Sequence, residues 1–194
     1  MVMKIGVLAL QGAVAEHVNA IQAVGAEAII VKNNHHLSHI DGLLLPGGES
    51  TAMRRLIDYH DMLVPLQSFA KNKPVFGTCA GLILLAETIE GQSPHIGAMR
   101  ITVQRNAFGR QINSFETNIT IQKISKSFPA VFIRAPKIVA VHEDVEVLAT
   151  YHDTIVCARD RHLLACSFHP ELTNDVSLMH YFFQMVKEHN KVVS

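Results

Sequence analysis

The sequence has no net charge: seventeen Lys and Arg residues are balanced by seventeen Asp and Glu. Without a basic stripe it lacks the electrostatic footprint of a nucleic-acid binder or of a protein held to an anionic membrane. Paired cysteines are missing too. Cys79, Cys157 and Cys166 are an odd set with no CxxC spacing, which argues against a disulfide framework, fits reduced cytosolic thiols and leaves one sulfur free to react. No apolar run approaches the roughly 20 residues of a membrane span. The run at 5–10 behind Lys4 ends in Gln11, with Glu16 soon after. It is therefore short for a secretory core of roughly 7 to 15 residues, although Ala13-Val14-Ala15 mimics a cleavage site. Neither GxxxxGK[ST] nor GxGxxG occurs, which removes the usual support for nucleotide binding, and no repeat, linker or low-complexity tract divides the chain. A single domain spanning 1–194 is expected, soluble and cytoplasmic, with enough interior for a substantial core. Nothing in the sequence calls for a cofactor or metal. His35, His36, His39 and His60 are close in sequence but lack the recognisable four-ligand spacing of a tetrahedral zinc site, and they read as solvated loop residues.

What is present is an alternation of strand and helix. Residues 4–10 are β-prone and almost wholly apolar, as in a parallel strand covered on both faces. Val14, Val18, Ile21 and Val24 then form a helical stripe ending at Gly25. Strands are expected at 28–31 and 42–45, helix after Ser50, a strand at 74–77 and helix at 82–87. This pattern predicts an α/β fold with a doubly wound, mainly parallel, flavodoxin-like sheet, whose ligands gather beyond the carboxyl ends of its strands. After Gly91 the β-prone runs at 101–104, 115–121, 131–133, 145–151 and 154–158 predict a mixed or antiparallel extension. A buried strand at 163–168 and a final helix with Val176, Met179, Phe183 and Val186 on one face complete the expectation.

Three segments carry chemistry. Gly77-Thr78-Cys79-Ala80-Gly81 places a thiol between glycines at an expected strand-to-helix turn, the arrangement called a nucleophile elbow when serine is central. So tight a turn leaves no room for Cβ atoms two residues away and aims the sulfur outward. The helix N-terminus that follows favours thiolate, the nucleophilic form. A lone cysteine in a glycine-rich turn is more often an inert core residue, so the elbow alone is only moderately specific. His169-Pro170-Glu171 follows an expected strand, where residues two apart point to one side, so the carboxylate can orient the imidazole. Pro170 disfavours helix at His169 and should keep the segment extended. The imidazole would take the thiol proton and return it to a leaving amine while the carboxylate fixes its tautomer. Taken alone, the segment also reads as a surface turn; the two motifs together are far more specific than either. Pro46-Gly47-Gly48-Glu49-Ser50-Thr51 starts where the third strand ends. A donor from it, the N–H of Gly48, would share the oxyanion with the N–H of Ala80.

These blocks resemble the class I glutamine amidotransferases, whose triads join a Gly-x-Cys-x-Gly elbow to a His-Pro-Glu strand end. Leu8-Ala9-Leu10-Gln11-Gly12, the Pro46 and Gly77 blocks, Arg105-Asn106-Ala107-Phe108-Gly109-Arg110-Gln111, Phe132-Ile133-Arg134-Ala135-Pro136 and Ser167-Phe168-His169-Pro170-Glu171-Leu172 are similar to the glutaminase subunits of pyridoxal 5'-phosphate synthases. The similarity spans nearly the whole chain. It implies Cys79 as nucleophile, His169 as base and Glu171 as its partner. It also implies a glutamine site built from Gly47, Gly48, Glu49, Arg105, Ile133 and Arg134. A guanidinium fork suits the α-carboxylate of free glutamine, although sequence alone would make the arginines plain surface charge. The resemblance further implies a (β/α)₈-barrel synthase partner that receives the ammonia away from bulk water, and an activating contact near Gln11 and the Gly47-Gly48 loop. Lys137 departs from the pattern, since many relatives carry histidine after Arg-Ala-Pro.

Two rival readings remain. A cysteine hydrolase of the intracellular protease type commonly places histidine directly after its nucleophile, where this chain has Ala80. A non-catalytic module binding a metabolite or partner would leave Cys79 unreactive. Cys157 and Cys166, on apolar strands, read as core thiols. Arg54 and Arg55 read as solvated residues on an exposed helix face, with a partner contact as the alternative.

Overall fold

The computed structural model describes residues 2–105 and 114–193. The part of the Arg105 block at 106–111 therefore lies outside the described residues.

Five strands make the parallel half of a sheet. β1 (Lys4–Leu8) lies between β2 (Glu27–Val31) and β3 (Gly42–Leu45). β4 (Val75–Thr78) follows β3, and the last strand of the chain, Leu163–Cys166, runs parallel to β4 on its other side. Their side chains alternate between two cores, because successive residues of a strand face opposite sides of the sheet. Leu43, Leu45, Val75, Leu163 and Ala165 enter one core, while Ile5, Val7, Leu44, Phe76, Leu164 and Cys166 enter the other. Burial on both faces is why β1, β3, β4 and Leu163–Cys166 read as continuous apolar runs, whereas the edge strand β2 exposes Glu27 and Ile30.

The helices sort by face. α3 (Ser50–Tyr59), α4 (Leu63–Asn72) and α5 (Ala80–Leu85) cover the first core through Met53, Ile57, Leu66, Phe69 and Leu82. α1 (Val14–Ala23) and the C-terminal α6 (Ser177–Val193) cover the second through Ile21, Leu178, Phe182 and Met185. A short helix, α2 (Asn34–Leu37), links β2 to β3.

The second half supplies the mixed extension that its texture predicts. β5 (Ala86–Ile89) pairs parallel with β6 (Met99–Gln104), and β6 pairs antiparallel with β9 (Lys137–Val141). β11 (Thr154–Asp160) joins β9 to β12, the Leu163–Cys166 strand, and β10 (Glu146–Tyr151) pairs with it off that path. β7 (Ser114–Ile121) and β8 (Ser125–Ile133) form a separate two-stranded ribbon. Phe128 and Phe132 tie it to Phe168, each with ring centroids 5.6 Å apart.

Several expectations need correction. The helix after the elbow ends at Leu85 rather than 87, because Thr88 and Ile89 pair with Thr102 and Val103 of β6, and strand pairing overrides weak helix propensity. The first strand ends at Leu8 rather than 10, and the last at Cys166 rather than 168. In α6 the stripe is displaced: Val176 precedes the helix and is exposed, and the buried face is Leu178, Met179, Phe182, Met185 and Val186. The sheet takes Phe182 instead of Phe183 because its ring meets Phe76, 5.5 Å away between centroids.

Candidate active site

Because β1, β3, β4 and β12 are mutually parallel, their carboxyl ends open on one edge of the sheet. That edge receives Gln11, Gly47, Cys79 and His169 from four separate parts of the chain.

Cys79 sits between β4 and α5 with φ 49° and ψ −104°. A side chain held there costs on the order of 1–3 kcal/mol, a strain kept only where the surroundings impose it. The surroundings are visible. A Cβ on Gly77 would lie 2.5 Å from the carbonyl carbon of Gly81, and one on Gly81 would lie 2.0 Å from the oxygen of Leu45. The glycines expected from the motif are thus demanded by backbone contact. The Cys79 N–H donates to the carbonyl of Cys166 at 2.9 Å, and its sulfur is 3.9 Å from the carbonyl oxygen of Ile133.

His169 faces this sulfur. A Cβ on Gly47 would be 2.6 Å from His169 Cε1 and 3.7 Å from Cys79 Cβ, so imidazole and cysteine border the same bare backbone position. Nδ1 of His169 is 2.7 Å from Oε1 of Glu171, whose side chain is fully buried. Burial works against a charged imidazole, yet hydrogen bonds and charge from Cys79 and Glu171 outweigh it and raise the His169 pKa to about 10. Burial likewise works against the Glu171 carboxylate, but the His169 hydrogen bond and charge hold it below the ordinary value. The route to this geometry differs from the extended segment that the sequence suggests. Pro170–Leu172 is a turn of 3-10 helix. Proline suits its first position, where φ is already set and no N–H is missed, so the turn, not strand alternation, brings Glu171 under His169.

The Gly47-Gly48-Glu49 loop lies alongside. Glu49 caps α3, accepting from the N–H groups of Thr51 at 3.0 Å and Ala52 at 2.7 Å. Its pKa is lowered: burial pushes it up, but these donors and Arg105 push it down further. Arg105 donates to Glu49 at 2.9 Å and to the Thr51 hydroxyl and Gln92 side chain at 3.1 Å each. It is therefore fixed by the loop rather than free in solvent. Gln11 accepts from the Glu49 N–H at 3.1 Å. Ala80 opens α5, where its N–H has no carbonyl of its own helix to reach. Ile133 ends β8, and Arg134 is exposed with φ 43°. Lys137 opens β9 opposite Gln104, one residue from Arg105.

Two contributors escape the sequence motifs. Gln92 lies in the turn after Gly91, with no pattern to mark it. His17 is fully buried, 3.7 Å from Glu171 and 3.3 Å from the Thr78 hydroxyl. Its signal is spacing: Val14, His17, Ile21 and Val24 recur at helical intervals, which puts a histidine in an apolar stripe. Arg54 also differs from the solvated residue expected. It pairs with Asp58 at 2.9 Å and donates to the Pro94 carbonyl at 3.3 Å. Cys157 and Cys166 are buried core thiols as read, with burial pushing both pKa values up. Among the described residues, no group of three or more His, Cys, Asp or Glu side chains could hold a metal ion, and no helix is long and apolar enough to cross a membrane.

Known proteins resemble this chain in sequence and in fold. The pyridoxal 5'-phosphate synthase subunit PdxT of Geobacillus thermodenitrificans is 61% identical over 194 residues, covering 99% of this chain and 100% of that protein. The subunit of the same name from Anoxybacillus flavithermus is 58% identical over 188 residues, covering 96% and 98%. A crystal structure of a glutamine amidotransferase superposes with a TM-score of 0.90 at 42% identity over 94% of this chain and 98% of that one. A glutamine amidotransferase from Thermotoga maritima, 11% identical over 98% and 85%, shares the fold with a TM-score of 0.61. The model of the SNO glutamine amidotransferase family matches residues 7–188, and with an elbow cysteine, a paired histidine and glutamate and full-length relatives in place, the chain belongs to that family.

Proposed function

We propose that the chain is a single glutaminase domain that hydrolyses L-glutamine to L-glutamate and ammonia through Cys79, His169 and Glu171, and passes the ammonia to a synthase subunit making pyridoxal 5'-phosphate. The observation that carries this is the His169–Glu171 contact at 2.7 Å with the imidazole facing Cys79 across bare Gly47. The names of the full-length relatives supply the synthase.

In this reading the Cys79 sulfur attacks the side-chain amide carbon, and the oxyanion that forms is held by the N–H groups of Gly48 and Ala80. His169, protonated at neutral pH, gives its proton to the departing amine, so ammonia leaves and a thioester remains. Water then attacks the thioester. His169 takes the proton of that water, and glutamate departs. Glu171 holds the imidazole throughout. Gly47, Gly48, Glu49, Arg105, Ile133 and Arg134 bind the glutamine. The charged Glu49 suits its α-ammonium, and a guanidinium suits its α-carboxylate. The Gln11–Glu49 contact, on the rim of this site, is where docking of a (β/α)₈-barrel synthase would act. The protein would work in the cytoplasm, where its three thiols stay reduced.

The test is glutamate formation with and without the synthase. The proposal expects glutamine-dependent glutamate release that rises when the synthase is added, and a chain that forms no glutamate in the assembled complex overturns it. A non-catalytic module is the alternative that such a failure would favour.

A further inference from the structure

The proposed reaction uses only one oxygen of Glu171. Oε1 meets His169, whereas Oε2 is buried without a hydrogen-bond partner among the described residues. Apart from His169, the basic side chain within 4 Å of that carboxylate among the described residues is His17, whose Nε2 is 3.7 Å from Oε2; both side chains are wholly buried. The same Nε2 is 3.3 Å from the hydroxyl of Thr78, the residue before the nucleophile. His17 thus bridges the two limbs of the site from behind, on a helix that otherwise contributes apolar packing.

We propose that His17 is a positioning residue: as a neutral imidazole protonated on Nε2, it directs that N–H between Glu171 and Thr78 and so fixes the carboxylate that orients His169. The inference rests on the glutaminase reading above. Chemistry selects the tautomer. A carboxylate only accepts, so an unprotonated Nε2 would set a lone pair against it. That alternative would also strand an N–H on Nδ1, which is buried without a partner among the described residues, and a buried unpaired donor is costly. With Nε2 protonated, only a lone pair is left unmatched. Burial lowers the His17 pKa, with His169 acting in the same direction and Glu171 and Glu16 opposing it. The ring is therefore neutral at neutral pH. Its contact with Glu171 is an N–H dipole facing a charge, because 3.7 Å is too long for a hydrogen bond.

Two measurements on the full chain test the role. In the assembled complex, His17→Leu keeps the apolar packing and removes the N–H, and His17→Gln returns an amide N–H near the Nε2 position, whereas His17→Asn places one near Nδ1. The expected result is a fall of about tenfold in kcat for His17→Leu and His17→Asn with KM for glutamine little changed, the lower end of the loss when an outer-shell group behind a functional side chain is removed. His17→Gln should recover most of it. Equal kcat in all four proteins, or an equal loss in all three variants, overturns the inference. Independently of activity, nitrogen-15 NMR of the histidine rings, with His17 assigned from the signals lost in His17→Gln, should show the Nε2-protonated neutral form at pH 7. An Nδ1-protonated or cationic ring overturns it. Wild-type complex that makes no glutamate defeats the glutaminase reading instead, and the NMR result then decides the His17 arrangement alone.

Discussion

His169 and Glu171 stabilise one another only while one is protonated and the other is not. Against burial, Cys79 and Glu171 raise the His169 pKa from 6.5 to about 10, so its contribution is complete below 6.5 and is lost as pH climbs through about 10. Glu171 is held below 4.5, so its contribution is present above 4.5 and is lost as pH falls through the depressed value. The stability advantage of wild type over Glu171→Gln should be largest between pH 4.5 and 6.5 and should shrink toward pH 10; thermal denaturation across that range measures it. In the same variant the pKa of His169 should fall, readable by NMR of its ring. An unchanged His169 titration would mean that Glu171 does not hold the proton. The residue scale is also where the sequence was most legible. Cys79, His169 and Glu171 announce themselves through short motifs, and spacing within an apolar stripe marks His17 as buried; what His17 and Gln92 touch is set by folding that brings distant segments together, and those contacts leave no local signature.

At the scale of elements, the site depends on a turn that tolerates no extra atoms. Gly81→Ala would put a methyl group 2.0 Å from the Leu45 oxygen of the neighbouring strand. Backbone cannot yield there without parting β3 from α5, so the variant should lose at least about 2 kcal/mol of stability, in the range of core overpacking, and glutaminase activity with it; urea denaturation and the glutamate assay report the two losses. α6 gives a contrasting test remote from the chemistry. Phe182→Ala removes a fully buried ring packed on Phe76 and should cost about 3–5 kcal/mol through lost burial and the cavity left behind, with KM for glutamine unchanged in the protein that stays folded. The central parallel strands were legible because burial on both faces makes them nearly uniformly apolar. Boundaries were not. The helix after the elbow is cut short by pairing between β5 and β6, and the face of α6 is chosen by Phe76, partners that no local window contains. The 3-10 turn at Pro170 shows the same limit, since it reaches the expected His–Glu pairing by a different backbone path.

For the molecule as a whole, the decisive feature is that four parallel strands end on one edge, each delivering a different part of the site. The alternation of strand and helix in the first half implies that edge, and the mixed β texture of the second half implies the extension. The β-prone runs at 115–121 and 131–133 mark the strands β7 and β8, but not their pairing as a separate ribbon that brings Ile133 to the sulfur. A division of labour follows from the proposed function: Cys79→Ala should abolish glutamine-dependent synthesis of pyridoxal 5'-phosphate by the complex but leave synthesis from added ammonium salts intact. Loss of both would assign Cys79 a structural role. The role of Cys79 is tested most directly by treating the assembled complex with diazo-oxo-norleucine, a reactive glutamine mimic, and locating the adduct by peptide mass spectrometry. A single adduct on Cys79 that free glutamine suppresses is expected; an unmodified Cys79 in an intact complex would rule out Cys79 as the nucleophile.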